Sequence, residues 1–385
     1  MYQQESMLPA KLYYNPKEER FADHYRRWQG IPSIEVSSAG RIFVNFYTGQ
    51  AAEVGGNVML LCISDDHGTS FHNALVVEHP HPECRIYDPA LWIDPLGRLW
   101  VFWAQAHGFH DARSGVWCSI CNNPDSEKLT FSAPRRIANG IMINKPIVTQ
   151  TGAWLFPCCL WHDGCGAPPT EDHGLDHEKY SNAYVSYDQG KTITLLGSAN
   201  IPQRSFDESM MVEKKDGSIW MLVRTFYGIG ESFSYDGGKT WTPGKPSHID
   251  GPCSRFHIRR LKSGRLLMIN HYHFTEHIDL ADIMNQGNVK TWKGRSHLTA
   301  MLSEDDGATW PYTLLLDERN DVSYPDAAEC DDGFIYVTYD WQRVKEREIL
   351  LAKFTEEDIL LGKINNHDSK LRILVNKATG QPDVS

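Results

Sequence analysis

The sequence predicts an all-β protein, a six-bladed β-propeller built from four-stranded antiparallel blades. Two interleaved repeats predict it, and the aromatic content fits it. The first repeat is a turn, Ser-x-Asp-x-Gly-x-Thr-aromatic, plainest at residues 234–241 and returning at 64–71, 186–193 and 303–310. The Asp side chain bonds backbone N–H groups ahead of it, and Gly accepts positive φ. Thr and the aromatic residue then begin a half-buried strand. Recurrence at intervals of tens of residues is the mark of repeat architecture.

The second repeat is a Gly followed by an apolar strand. It occurs six times, opening at Gly40, Gly97, Gly152, Gly217, Gly264 and Gly333. A shorter strand-like run precedes each, at 31–36, 89–94, 146–150, 209–213, 256–261 and 326–329. Each unit thus opens strand, Gly turn, strand; a third strand leads into the Asp-Gly turn and a fourth follows it. In unit two the turn is degenerate, around 122–131, and in unit six it is replaced by 353–358. Blades packed radially leave wedge-shaped gaps, which the 12 Trp and 16 Tyr suit. The closing strand is expected from 371–377 or from the N-terminal segment. Residues 1–25 read as an extended lead-in, 164–179 as a surface loop, and 278–285 as a short helix in an insertion. No linker interrupts the chain, so residues 1–385 read as a single propeller domain.

The 385 residues are 41% hydrophobic and 23% charged, a globular composition. No apolar run reaches the roughly 18 residues of a membrane span. A net charge of −11 argues against nucleic acid as a partner. The first 30 residues lack the apolar stretch of a secretory signal, so a cytoplasmic location is expected, or a periplasmic or secreted one if a signal has been removed. The nine cysteines are odd in number and scattered through apolar runs, as reduced buried thiols are. Cys118 and Cys121 lack a second pair to complete a zinc site. Neither metal nor cofactor is expected.

Topology sorts the polar residues. In a propeller the first strand of each blade starts, and the second ends, on one face; the Asp-Gly turns lie on the other and are structural. First-strand starts carry Asp88, Lys145, Asp207, Glu208, Arg255, His257, Tyr324 and Asp326. Second-strand ends carry His107, His162, Arg224, His271, His273 and the stretch 340–343. The loops beyond add Glu53 and Arg295. Carboxylates, arginines and histidines gathered on one concave face suit glycoside cleavage or anion binding. Arg224 emerges from an apolar strand and needs a carboxylate partner, from the protein or from a ligand.

The Asp-Gly turns resemble the Asp-box, or bacterial neuraminidase, repeats of the sialidase superfamily, over nearly the whole chain. Residues 207–213, then Asp216, Gly217 and Ser218, then Val223 and Arg224, resemble the stretch that supplies that family's glutamate and one arginine of its carboxylate-binding triad. By that resemblance Glu208 and Arg224 take those roles, Arg295 is a second triad arginine, and Glu53 stands where the family has its acid/base aspartate. Two positions depart from the pattern. The family's Arg-Ile-Pro reads Gly30–Ile31–Pro32, so the first triad arginine is missing. The nucleophilic tyrosine is shifted, with Val322 at its position and Tyr324 two residues later.

The resemblance implies a glycoside hydrolase removing a terminal acidic sugar, sialic acid first, from a glycan. Arg224 and Arg295, with Arg255, are expected on the substrate carboxylate, with Lys145, His257 and His271 as further binding residues. Glu53 is the expected general acid. Tyr324 is the nucleophile with Glu208 as its base, or Glu208 or Asp88 activates water. The alternatives are a polysaccharide lyase, a neutral-sugar hydrolase of rhamnosidase type, and a non-catalytic carbohydrate-binding propeller.

Overall fold

The structure, a computed structural model, describes residues 2–50, 52–161, 174–272 and 294–381. His162, His273, the expected helix over 278–285 and most of the expected loop over 164–179 lie outside the described residues.

Among the described residues the strands form six antiparallel sheets, arranged as the blades of a propeller. Blade one has β1 (Lys11–Tyr14) outside β2 (Trp28–Val36), β3 (Ile42–Gly49), β4 (Val58–Ser64) and β5 (His72–Glu78). Blade two is β6 (Cys84–Ile93), β7 (Leu99–His107), β8 (Gly115–Cys121) and β9 (Arg135–Asn139). Blade three is β10 (Ile147–Val148), β11 (Trp154–Cys159), β12 (Ser181–Ser186) and β13 (Thr194–Ala199). Blade four is β14 (Arg204–Glu213), β15 (Ile219–Thr225), β16 (Gly228–Ser234) and β17 (Lys245–Pro246). Blade five is β18 (His257–Arg260), β19 (Leu266–His271), β20 (Leu298–Ser303) and β21 (Tyr312–Asp317). Blade six is β22 (Val322–Glu329), β23 (Phe334–Trp341), β24 (Glu348–Thr355) and β25 (Lys370–Lys377).

The Asp-Gly turns are hydrogen-bonded alike. At residues 234–241 Ser234 Oγ donates to Asp236 Oδ1 at 2.9 Å, while Gly238 N and Thr240 N donate to Ser234 Oγ and Asp236 Oδ1. Thr240 Oγ1 closes the ring on Asp236 Oδ2 at 2.6 Å. The same bonds recur around Asp66, Asp188 and Asp305. In blade six the turn is replaced by α1 (Glu356–Leu361), entered through a capping box of Thr355 and Asp358.

The core lies between blades. Trp92 of blade two meets Trp154 of blade three edge-on, with ring centroids 4.8 Å apart. Blades one and six share a cluster that includes Val44, Phe46, Tyr336 and Leu351. Of the two expected sources of the closing strand, 371–377 supplies it, as β25. Strands β22 to β25 complete blade six without the N-terminal segment, and β1 pairs instead with β5 as a fifth strand of blade one. Hence residues 1–25 are not simply extended: they carry a 3-10 turn (Tyr2–Met7) and β1. The ring is closed through side chains. Asp326 accepts from Ser33 Oγ at 2.5 Å and Ile34 N at 2.9 Å, and Asp340 accepts from Ile31 N at 2.8 Å.

Four first strands are bulged. The register slips between Gly30 and Ser33, Tyr87 and Ala90, Arg204 and Ser209, and Ser323 and Asp326. Ile31, Asp88, Phe206, Asp207 and Tyr324 there have φ between 46° and 60°. Non-glycine residues held in left-handed conformations cluster where strain serves a site. Among the described residues no helix is long and apolar enough to cross a membrane.

Candidate active site

The bulges bring side chains from different blades into one cluster. Tyr324, on the β22 bulge, donates its hydroxyl proton to Glu208 Oε1 at 2.7 Å. Arg224 Nη1 donates to the same carboxylate oxygen at 2.7 Å and to the Tyr324 oxygen at 2.8 Å. All three side chains are buried. Glu208 lies in the β14 bulge and Arg224 stands near the end of β15, so blade four supplies the carboxylate–guanidinium pair and blade six the phenol. Burial pushes the Tyr324 phenol above its usual value, against the pull of Arg224, Arg343 and Arg295.

The two-residue shift of the tyrosine is absorbed locally. On a flat strand the hydroxyl moves about 7 Å between i and i+2. Here the slip between Ser323 and Asp326, with Tyr324 at φ 55°, turns the ring back onto Glu208.

Two further guanidiniums cover Tyr324. The Arg343 guanidinium carbon lies 4.2 Å from the ring centroid and that of Arg295 5.6 Å. Arg295 Nη2 donates to Cys253 O at 3.0 Å, and Arg224 Nε to Cys253 Sγ at 3.4 Å. Arg343 follows β23, donates to Asp340 Oδ2 at 2.8 Å and to Ser323 Oγ at 3.1 Å, and passes over Gly30. A Cβ at Gly30 would lie 2.6 Å from Arg343 Cδ. Gly30 is the position where the resemblance expects arginine; its emptiness admits Arg343 from the last blade. Arg26 serves the fold instead, donating to Phe21 O, Gln29, Thr48 and Asn376.

Two further carboxylates, Glu53 and Asp88, stand next to this cluster. Glu53 lies between Arg343 Nη1 at 3.6 Å and Arg85 Nη1 at 3.7 Å. Arg85 is fully buried, stacked over Tyr87 (3.9 Å) and Phe109 (4.3 Å), and its two Nη atoms make no hydrogen bond. Asp88 sits on the β6 bulge. Burial raises its pKa to about 8; Arg85 opposes this, and the Glu53 and Glu208 charges add to it. At neutral pH Asp88 therefore carries a proton.

Four expected binding residues lie elsewhere or act indirectly. Lys145, Arg255 and His257 are not gathered with Tyr324; their polar ends converge on buried Asp326, at 3.0, 3.5 and 2.9 Å, and burial lowers the His257 pKa to about 4. Lys145 also meets Glu35 at 3.0 Å and the carbonyls of Ile34 and Leu91. Burial opposes ionisation of Asp326, but Lys145, His257 and Arg255 hold its pKa well below the usual range. This buried charge cluster ties β22 to blades one, three and five. His271 contacts Ser296 O at 3.0 Å, and burial with the Arg295 charge lowers its pKa to about 4. It is a neutral ring under the loop that carries Arg295.

The reading from sequence did not single out Arg85 or, beyond placing it in the stretch 340–343, Arg343. Arg343 had one signal, the Gly in the Arg-Ile-Pro position. Arg85 had none, because a lone Arg in an apolar strand has many uses.

Comparison with known proteins now adds the family. A BNR repeat-like domain model matches residues 43–337. The chain belongs to the BNR repeat-like domain family. Its fold is that of the sialidase-type six-bladed propeller. This BNR repeat-like protein superposes on the intramolecular trans-sialidase from Ruminococcus gnavus, solved with oseltamivir carboxylate, with a TM-score of 0.64 and 12% identity, covering 93% of this chain and 99% of that one. The Hadza microbial sialidase Hz136 gives 0.58 and 18%, covering 81% of this chain; the alignment spans 63% of that chain's length. A protein of unknown function from Dyadobacter fermentans DSM 18053 gives 0.59 and 17%, covering 88% of this chain and 95% of that one. Among curated proteins none matches the chain.

Proposed function

We propose that this BNR repeat-like protein is a retaining exo-glycosidase acting on a terminal sugar that carries a carboxylate, sialic acid being the first candidate. One observation carries the reading: the Tyr324 hydroxyl is bonded at once to Glu208 Oε1 and Arg224 Nη1. A phenol is a poor nucleophile until a base takes its proton, and Glu208 is in place to do so. Arg224, Arg295 and Arg343 then fork onto the substrate carboxylate, which also places the anomeric carbon over Tyr324. The leaving oxygen takes its proton from the Glu53–Asp88 side, where Asp88 is the group that burial keeps protonated near neutrality. Water later cleaves the tyrosyl-glycosyl bond with the same group acting as base. The sialidase and trans-sialidase that share the fold support the choice of sugar. A lyase would need a base such as histidine beside Tyr324; among the described residues His257 turns to Asp326 and His271 to Ser296.

The test is turnover of aryl glycosides of sialic acid, uronic acids and neutral deoxysugars, with the first-formed anomer read by NMR. The expected result is release from an acidic glycoside with retained configuration. Glu208→Gln should lower kcat by about 10²–10⁴-fold, and Tyr324→Phe at least as much. Arg343→Ala should act mainly on KM, by about 10–100-fold, the value of one charged hydrogen-bonding partner. Wild-type rates in Tyr324→Phe, or cleavage confined to neutral sugars, would overturn the reading.

A further inference from the structure

We infer that Glu5, His81 and His107 form a zinc site that staples the N-terminal arm to the corner of blade two. Three distant pieces of chain meet there: the 3-10 turn of the arm, the loop between β5 and β6, and the end of β7. Their ligand atoms all lie within 4.8 Å of one another. His81 Nε2 is 3.3 Å from Glu5 Oε2. Two ligands each about 2.0–2.1 Å from a tetrahedral zinc ion are about 3.3 Å apart, so one edge of the tetrahedron already has its length. Glu5 Oε2 is buried and makes no hydrogen bond. Glu83 stands outside that set, but its Oε2, 3.4 Å from His107 Nε2, is near enough for the side chain to swing in as a fourth ligand. Two imidazoles with carboxylates suit zinc; magnesium and calcium take all-oxygen sets.

The backbone that carries these ligands is held independently of any ion. Gln105 Nε2 donates to Ser6 O at 2.7 Å and Leu8 O at 2.8 Å, and β1 is paired with β5. One contact must yield. The Glu83 N–H faces His81 Nδ1 at 3.3 Å, and binding a metal through Nε2 moves the ring proton to Nδ1. That weak contact opens, which frees Glu83 to close on the ion. His79 has its Nδ1 occupied by the His81 N–H at 3.0 Å and stays outside the set.

The ion lies outside the reacting group but next to what shapes it. His107 pairs with Cys84 and Ala106 with Arg85, and Phe109, two residues beyond His107, stacks on the Arg85 guanidinium. The site does not depend on the reaction proposed above.

The full-length chain, stripped with chelator and desalted, should take up one zinc per chain, and its Tm should rise with free zinc. Cobalt(II) in its place should give the visible absorption of a tetrahedral ion. Glu5→Gln and His81→Ala, both in the partly exposed staple, should each weaken uptake about tenfold or more and abolish the Tm shift. No uptake by the wild-type chain overturns the site. So does uptake equally strong in both variants, which would point to the cysteines.

Discussion

At Gly30 the space a β-carbon would occupy belongs to Arg343, whose Cδ stands 2.6 Å away. Glycine there is a packing requirement, and it couples two positions more than 300 residues apart. Gly30→Arg would force Arg343 off Tyr324. Asp88 makes the other residue-scale point. Its carboxyl is buried on a left-handed bulge residue, and its pKa of about 8 is far above the roughly 3.9 of an unfolded aspartate. Between these values the folded state binds the extra proton, so folding weakens as pH rises from about 4 to about 8. The prediction is twofold. In the wild type kcat/KM falls as pH passes about 8, where the acid loses its proton. In Asp88→Asn that limb disappears, and the variant's Tm gains on the wild type as pH rises over the same range. Thermal unfolding and pH–rate profiles check both arms; an unchanged alkaline limb in Asp88→Asn removes Asp88 as the proton donor.

At the scale of the element, the Asp-Gly turns and the bulged first strands divide the work. The turns are local devices. Hydrogen bonds from Ser70, from Thr192 and from Thr240, all to one carboxylate each, lower Asp66, Asp188 and Asp236 to about 2. A depressed carboxylate stabilises the fold above about pH 4, and that contribution is lost as pH falls toward 2. Asp236→Asn should therefore melt below the wild type at pH 7, with the gap narrowing toward pH 2 and activity unaffected. A gap independent of pH would mean that the turn acts through shape alone. The bulges do the opposite job. They break local regularity to re-aim Asp88, Glu208 and Tyr324 inward. The turns were legible in the sequence because Ser, Asp, Gly and Thr bond one another within seven residues. The bulges were not, since the slip in β22 lies in how Ser323 and Asp326 pair with β23, and no residue type announces it.

For the whole molecule, closure rests on buried charge rather than on a shared strand. Asp326 gathers Lys145, Arg255, His257, Ser33 and Ile34 from three other blades. Asp326→Ala leaves buried Arg255 without its counter-charge and Lys145 with Glu35 alone, and should cost about 3–5 kcal/mol. Adding Lys145→Met should restore part of that loss in chemical denaturation. An Asp326→Ala variant as stable as wild type would assign closure to apolar packing between blades one and six. The blade number and the strand order were readable from the chain alone, because the Gly turn and its apolar strand recur six times and the Asp-Gly turn four times. Glu208 and Arg224 were readable for a related reason, lying in one hairpin with a fixed register. Which arginine stands beside them, why Lys145 and His257 turn to Asp326, and where the tyrosine hydroxyl comes to rest depended on blades one and six meeting. That contact joins the two ends of the chain, and short-range pattern carries no information about it.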